Sequence, residues 1–154
     1  MCGIIGYIGN GNCYDILISG LKKMEYRGYD SYGIAIKDGN NIKSTKNVGK
    51  ISEQISEDIK GNAGIGHTRW ATHGDVSINN THPHFSSDKT IAIVHNGIIE
   101  NYQALKKILK DEGYDFRSDT DSEVLSHLIR KYYNGDLEEA VHKTLQNLDG
   151  TYGL

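Results

Sequence analysis

Cysteine is scarce in this sequence: Cys2 and Cys13 are the only two. That excludes a disulfide-built scaffold. A Cys2–Cys13 bridge is allowed by spacing but nothing else recommends it, and both read as reduced thiols of a cytoplasmic protein. Long apolar runs are missing as well. No stretch approaches the roughly 18 residues that a membrane-spanning helix needs. The first ten residues lack a basic segment, and glycine interrupts their apolar stretch, so no signal peptide is readable. Charge excess is also absent: 17 basic against 20 acidic residues leave a net charge of -3. Neither a nucleic-acid partner nor a polybasic membrane anchor is expected from that balance. Proline occurs once, at Pro83, whereas glycine occurs 18 times, often at the ends of short apolar runs. This favours a sheet with tight turns over a helix bundle. The 154 residues suit one domain or part of a larger one.

The apolar pattern places strands early and helices late. Ile4 to Ile8 reads as a strand broken by Asn10-Gly11-Asn12. Ile16, Leu17, Leu21 and Met24 recur at helical spacing across 14–25. Ile34 to Lys37 and Ile42 to Thr45 flank a hairpin-like turn, Asp38-Gly39-Asn40-Asn41. The segment 51–59 suits a short helix, and 64–69 a strand leading into a polar loop over 71–88. "TIAIVH" at 90–95 reads as a strand buried on both faces. Three helices follow: one capped by Asn101 and ended by Gly113, one opened by a Thr120–Glu123 capping box, and one opened by Asp136 and Glu139. The closing "TYGL" resembles the start of a strand. Regular βαβ alternation is absent, so the fold class is α+β with a largely antiparallel sheet covered by helices.

Polar, glycine-rich words interrupt this pattern where functional groups concentrate. Cys2 follows the initiator methionine. With Met1 removed, it would own both a thiol and a free α-amine, and an α-amine titrates near 7.7–8.0, close enough to neutrality to act as a base. Such a nucleophile needs no histidine partner. Position alone equally suits a buried strand cysteine acting as a small hydrophobe. Arg69, at the end of a strand, suits bidentate recognition of a carboxylate, or else covers Trp70 at the surface. The Asn96 amide and the Gly97 N–H can point at one oxygen, as an oxyanion hole requires, although Asn-Gly is also a common turn word. Asp121 stands at a helix mouth, where it can face the helix dipole or pair with a ligand's cationic group. An Arg for a carboxylate and an Asp for an ammonium together describe a site for a free amino acid. His82-x-His84 could turn two rings to one side, but no HExxH, CxxC or carboxylate cluster supports a metal. His73 suits a hydrogen-bonded loop position near the site.

The words are more specific together. "CGIIGYIG" at 2–9, "MEYRGYDS" at 24–31, "GHTRWATHG" at 66–74, "THPH" at 81–84, "VHNGIIENY" at 94–102 and "SDTDSEV" at 118–124 resemble the glutaminase domain of the class II, N-terminal-nucleophile, glutamine amidotransferases. The resemblance runs from Cys2 to the last residue. The full wording is that of the branch that passes ammonia from glutamine to fructose 6-phosphate, giving glucosamine 6-phosphate. The phosphoribosyl-diphosphate amidotransferase, asparagine synthetase and glutamate synthase branches share only the leading Cys-Gly, an Arg-Gly and an Asn-Gly, and rank second. Tyr32 stands where a small residue is usual in that family.

The resemblance implies a four-layer α/β/β/α sandwich of the N-terminal nucleophile hydrolase type. It makes Cys2 the nucleophile and its α-amine the base. Asn96 and Gly97 form the oxyanion hole, Arg69 holds the glutamine α-carboxylate, and Asp121 holds its α-ammonium. Trp70, Thr72 and His73 line and close the pocket, while Arg27 and Gly28 support the nucleophile. No metal or organic cofactor is implied, and the full-length enzyme is expected to be a homo-oligomer. The family's glutaminase domain continues several tens of residues further and is followed by a sugar-isomerase domain. Residues 1–154 are therefore expected to be the N-terminal part of a glutaminase domain truncated at its C-terminus, with the sugar-isomerase domain absent. Fructose 6-phosphate would be reached only through that domain. A reading of another class is a non-catalytic piece that binds glutamine or a partner domain.

Overall fold

Strand β1 (Gly3–Ile8) forms where Ile and Tyr are interspersed with two glycines. A computed structural model describes residues 2–51, 59–71 and 74–154. In it, β1 pairs antiparallel with β4 (Ala63–Arg69), setting Gly3 opposite Thr68 and Ile8 opposite Ala63. Strands β2 (Ser31–Asp38) and β3 (Asn41–Val48) form the expected hairpin, closing with Asp38 opposite Asn41. The sheet runs β1-β4-β2-β3 and is antiparallel throughout. Helix α1 (Cys13–Lys23) is capped by the Asn12 side chain, which accepts from the Asp15 N–H. It buries Cys13, Tyr14, Leu17 and Leu21, a helical stripe. These pack with Tyr32, Ile34 and Ile36 of β2 in one core. Tyr32 is absorbed there, 2% exposed. The segment expected as a helix over 51–59 lies outside the described residues from 52 to 58.

The chain divides into two compact units, the second running from His84 to Leu154. Its two antiparallel ribbons pair β5 (His84–Phe85) with β6 (Ala92–Ile93), and β7 (Asn96–Ile99) with β8 (Gly150–Gly153). Helices α2 (Tyr102–Asp111), α3 (Glu123–Tyr132) and α4 (Leu137–Leu145) complete it. Val124, Leu125, Leu128 and Ile129 of α3 form its core with Ile93, Ile99, Leu109 and Ala140. Helix α2 ends as expected at Gly113: the Gly113 N–H donates to the Lys110 carbonyl and the Tyr114 N–H to that of Leu109. Asp136 opens α4 by accepting from the Glu139 N–H. The closing "TYGL" contributes to β8, as expected.

Two expectations for this unit are corrected. "TIAIVH" does not form one strand, because only Ala92 and Ile93 pair. Side chains take the segment's start into a tight loop: the Asp88 carboxylate accepts from both the Thr90 N–H and the Thr90 hydroxyl, and the Ser86 Oγ accepts from the Ile91 N–H. Such local bonds compete with a ladder. The Thr120–Glu123 capping box does not form either. Ser122 occupies the cap position without a side-chain capping bond. Thr120 Oγ1 instead meets Ser118 Oγ and His84 Nε2, each at 3.0 Å.

The Glu123 carboxylate folds back on the preceding loop, accepting from the Arg117 and Ser118 N–H groups and the Ser118 hydroxyl at 2.7–2.9 Å. Burial raises its pKa, but the His127 ring at 3.7 Å and the bonds from Ser118 and Arg117 outweigh burial and hold it at about 2. An unfolded Glu titrates near 4.3. The carboxylate's contribution is therefore complete above that value and is lost as pH falls toward 2. Urea denaturation between pH 7 and pH 2 should show the wild type losing about 3 kcal/mol more than Glu123→Gln. Parallel losses in the two proteins would refute this role.

Candidate active site

Cys2 directly precedes β1, and the β1–β4 register carries it to the end of β4. The Gly3 N–H donates to Thr68 Oγ1 at 3.1 Å. The Trp70 N–H donates to the Cys2 sulfur at 3.2 Å, and the thiol lies 3.6 Å from the Trp70 carbonyl. Residue 70 thus holds the sulfur through both of its backbone polar groups. Cys2 is half-buried, unlike Cys13, which is 1% exposed in the core, and neither is in a disulfide. Burial pushes the Cys13 thiol above its ordinary pKa.

Arg69 is 4% exposed, which removes the reading of a surface arginine covering Trp70. Its Nη1 and Nη2 donate to the carbonyls of Asp75 and Gly74 at 3.1 and 3.2 Å. The guanidinium therefore fixes the loop behind β4. Trp70 projects to the surface, edge-on to Tyr29 at 5.6 Å between ring centres. Arg27 closes a 3-10 turn, Glu25–Arg27, and brings Gly28 against the end of β4. A Cβ on Gly28 would lie 2.7 Å from the Arg69 carbonyl carbon and 2.9 Å from the Trp70 nitrogen. Only glycine permits that approach without moving the Trp70 peptide that holds the sulfur. Thr72 and His73 lie outside the described residues.

Asp30, which the sequence reading passed over, secures the same strand end. Its N–H donates to the Arg69 carbonyl, and its carboxylate accepts from the Ala71 N–H at 2.8 Å. The available signal was an acidic residue inside "EYRGYDS", directly behind Arg27 and Gly28.

In the second unit, Asn96 and Gly97 begin β7 rather than forming an Asn-Gly turn. Gly97 has φ +138, and a Cβ there would stand 1.9 Å from the Thr151 carbonyl oxygen. A side chain at this position is excluded by both backbone and neighbour. Asp121 is 6% exposed and does not cap α3. Its Oδ2 accepts from the Ile99 N–H at 2.7 Å, and its Oδ1 accepts from the Ser122 hydroxyl at 3.3 Å. Ser122 Oγ also meets His95 Nδ1 at 2.8 Å. Burial pushes the His95 pKa below its ordinary value, against the upward pull of the Asp121 carboxylate and a bond to the Thr151 backbone. His95 and Ser122 flank motif residues, yet spacing alone gave them no role.

The structure brings together Cys2, Gly28, Arg69 and Trp70 in the first unit, and Asn96, Gly97 and Asp121 around β7 in the second. His67 stacks on His82 at 4.1 Å, and His84 bonds Thr120. Among the described residues, no three His, Cys, Asp or Glu side chains are grouped to hold a metal ion, and no helix is long and apolar enough to cross a membrane.

Known proteins are similar to this chain. The glutamine amidotransferase domain family matches residues 67–154. The chain is 53% identical to the glutamine–fructose-6-phosphate aminotransferase (isomerizing) of Caldanaerobacter subterraneus subsp. tengcongensis, covering all of this chain and 26% of that protein. It is 49% identical to the enzyme of that name from Clostridium perfringens, with the same coverage. It thus spans about a quarter of the length of these relatives. Among solved structures, the glutamine phosphoribosylpyrophosphate amidotransferase of B. subtilis is similar at TM-score 0.83 and 32% identity, over 99% of this chain and 34% of the other. A structure described as the allosteric regulatory enzyme of purine biosynthesis is similar at TM-score 0.84 and 30% identity, with the same coverage. The chain belongs to the glutamine amidotransferase domain family, and its fold class is α+β.

Iodoacetamide should alkylate Cys2 in the native protein and reach Cys13 only in denaturant, because thiolate character and access control the reaction. Peptide mass analysis reads the two sites separately. Equal native labelling of both would contradict the burial described here.

Proposed function

We propose that this chain is the N-terminal part of a glutaminase domain that hydrolyses the side-chain amide of L-glutamine. The observation that carries the proposal is the Cys2 sulfur held at the head of β1 by the Trp70 N–H, in a member of the glutamine amidotransferase domain family. Removal of Met1 exposes the Cys2 α-amine, which takes the thiol proton. The sulfur attacks the amide carbon, forming a C–S bond and a tetrahedral oxyanion held by the Asn96 amide and the Gly97 N–H. The α-ammonium returns its proton as the C–N bond breaks, and ammonia leaves. Water then opens the γ-glutamyl thioester, giving glutamate and restoring the thiol.

Arg69 takes the substrate α-carboxylate, with its fork already fixed by the 74–75 carbonyls. Asp121 takes the α-ammonium. Trp70, Thr72 and His73 line the pocket, and Arg27 and Gly28 support the nucleophile's surroundings. In the full-length protein the ammonia passes to fructose 6-phosphate, giving glucosamine 6-phosphate. The 49–53% identities to glutamine–fructose-6-phosphate aminotransferases support this acceptor. The glutamine phosphoribosylpyrophosphate amidotransferase of B. subtilis, similar at 32%, lends weaker support to the alternative of another class II amidotransferase. A thiol nucleophile also suits a reducing, cytoplasmic setting.

The test is glutamate release from glutamine. Cys2→Ala should bind glutamine and release no glutamate; retained turnover in this variant would falsify the nucleophile assignment. Asn96→Ala should lose on the order of 10²–10³ in rate, and an unimpaired rate removes its oxyanion role. Blocking Met1 removal should abolish release, since the base becomes an amide nitrogen.

A further inference from the structure

We propose that Ser122, held by His95, positions the Asp121 carboxylate and so sets the preference for substrates that carry an α-ammonium. The proposal rests on reading Asp121 as the ammonium ligand.

Asp121 is gripped at both oxygens. Oδ2 is fixed to β7 through the Ile99 N–H, a backbone donor that cannot rotate away. Oδ1 depends on the Ser122 hydroxyl, which is free to turn. A serine has one proton to give. If it goes to Asp121, Ser122 Oγ must accept from its other neighbour, His95 Nδ1, 2.8 Å away. This needs the proton of the neutral ring on Nδ1. If the ring carries its proton on Nε2 instead, the serine proton turns to Nδ1 and Oδ1 loses its donor. The His95 tautomer thus decides whether the carboxylate is held at one oxygen or at two.

The surroundings fit this role. His95, Ser122 and Asp121 are each at most 6% exposed, so water does not substitute freely for a missing partner. Burial also favours the neutral ring, which keeps a second positive charge away from the carboxylate. A carboxylate fixed in rotation offers its remaining lone pairs in one direction, which is what orienting a single ammonium requires. Ser122 and His95 touch no reacting atom, so they are positioning residues.

The experiment compares kcat and KM of the full-length protein for glutamine and for 4-carbamoylbutanoate, which is glutamine without its α-ammonium. In Ser122→Ala, KM for glutamine should rise about tenfold with little change in kcat, as expected for a lost hydrogen bond to a charged group. The preference for glutamine over the analogue should fall by a similar factor, and Ser122→Thr should restore it. His95→Asn, whose amide N–H can replace Nδ1–H, should retain more of the preference than His95→Gln, which reaches the Nε2 position. Should Ser122→Ala fold poorly, the two His95 variants carry the test alone. Equal losses on both substrates, or an unchanged preference in Ser122→Ala and His95→Gln, overturn the positioning role and leave the glutaminase reading standing. Absence of glutamate release from the wild type overturns that reading and this inference together. An unchanged preference in Asp121→Asn overturns the ammonium assignment and the positioning role with it.

Discussion

The antiparallel pairing of β1 with β4 sets Gly3 opposite Thr68 and thereby lays the Cys2 sulfur against the Trp70 peptide. A chain terminus ordinarily frays. Here the residue next to it is tied down by a ladder six residues long and by the Thr68 hydroxyl on the Gly3 N–H. A slip of one residue would turn every β1 side chain to the opposite face. It would also take the sulfur away from its donor. Gly3 leaves no room for error on its own side either, since a Cβ there would stand 2.8 Å from Thr68 Oγ1 and 2.9 Å from the Met24 Cβ. The strand end on which Cys2 rests is fixed in turn by Gly28, Asp30 and Arg69. The proposed nucleophile is thus held by backbone contacts, with few rotatable side-chain bonds between it and the sheet.

The second unit places its candidate groups in a similar way. Strand β7 carries Asn96 and Gly97, and its Ile99 N–H anchors Asp121. Gly97 permits β8 to run alongside at a distance no side chain would tolerate. The ribbon and the carboxylate therefore share one strand, and a displacement of β7 moves all three candidate residues together. Glu123 supports this from beneath the loop. By taking the Arg117 and Ser118 N–H groups, it shapes the turn from which Asp121 and Ser122 project.

Much of this was legible in the sequence, and the failures have physical reasons. Helix α1, the β2–β3 hairpin, β4, the glycine-marked end of α2 and the Asp136-capped start of α4 follow from periodicity, glycine and capping residues. The cluster of motifs around Cys2, Arg69, Asn96-Gly97 and Asp121 was visible as words before any fold was known. Pattern could not reveal side chains that bond across the chain. Asp88 draws Thr90 out of the strand that "TIAIVH" suggests. Glu123 spends its carboxylate on residues 117–118, so the capping box that its spacing predicts is not made. Asp30, His95 and Ser122 have no role legible in pattern for the same reason, since each acts through a partner that only folding supplies.

The burial of Arg69 and Asp121 limits what these two groups can be doing. A guanidinium and a carboxylate that are 4% and 6% exposed are costly to keep charged without partners. Backbone groups meet each of them: two loop carbonyls accept from Arg69, and one strand N–H, beside the Ser122 hydroxyl, donates to Asp121. Backbone partners are neutral dipoles. They orient a charge and lower the cost of burying it without cancelling it.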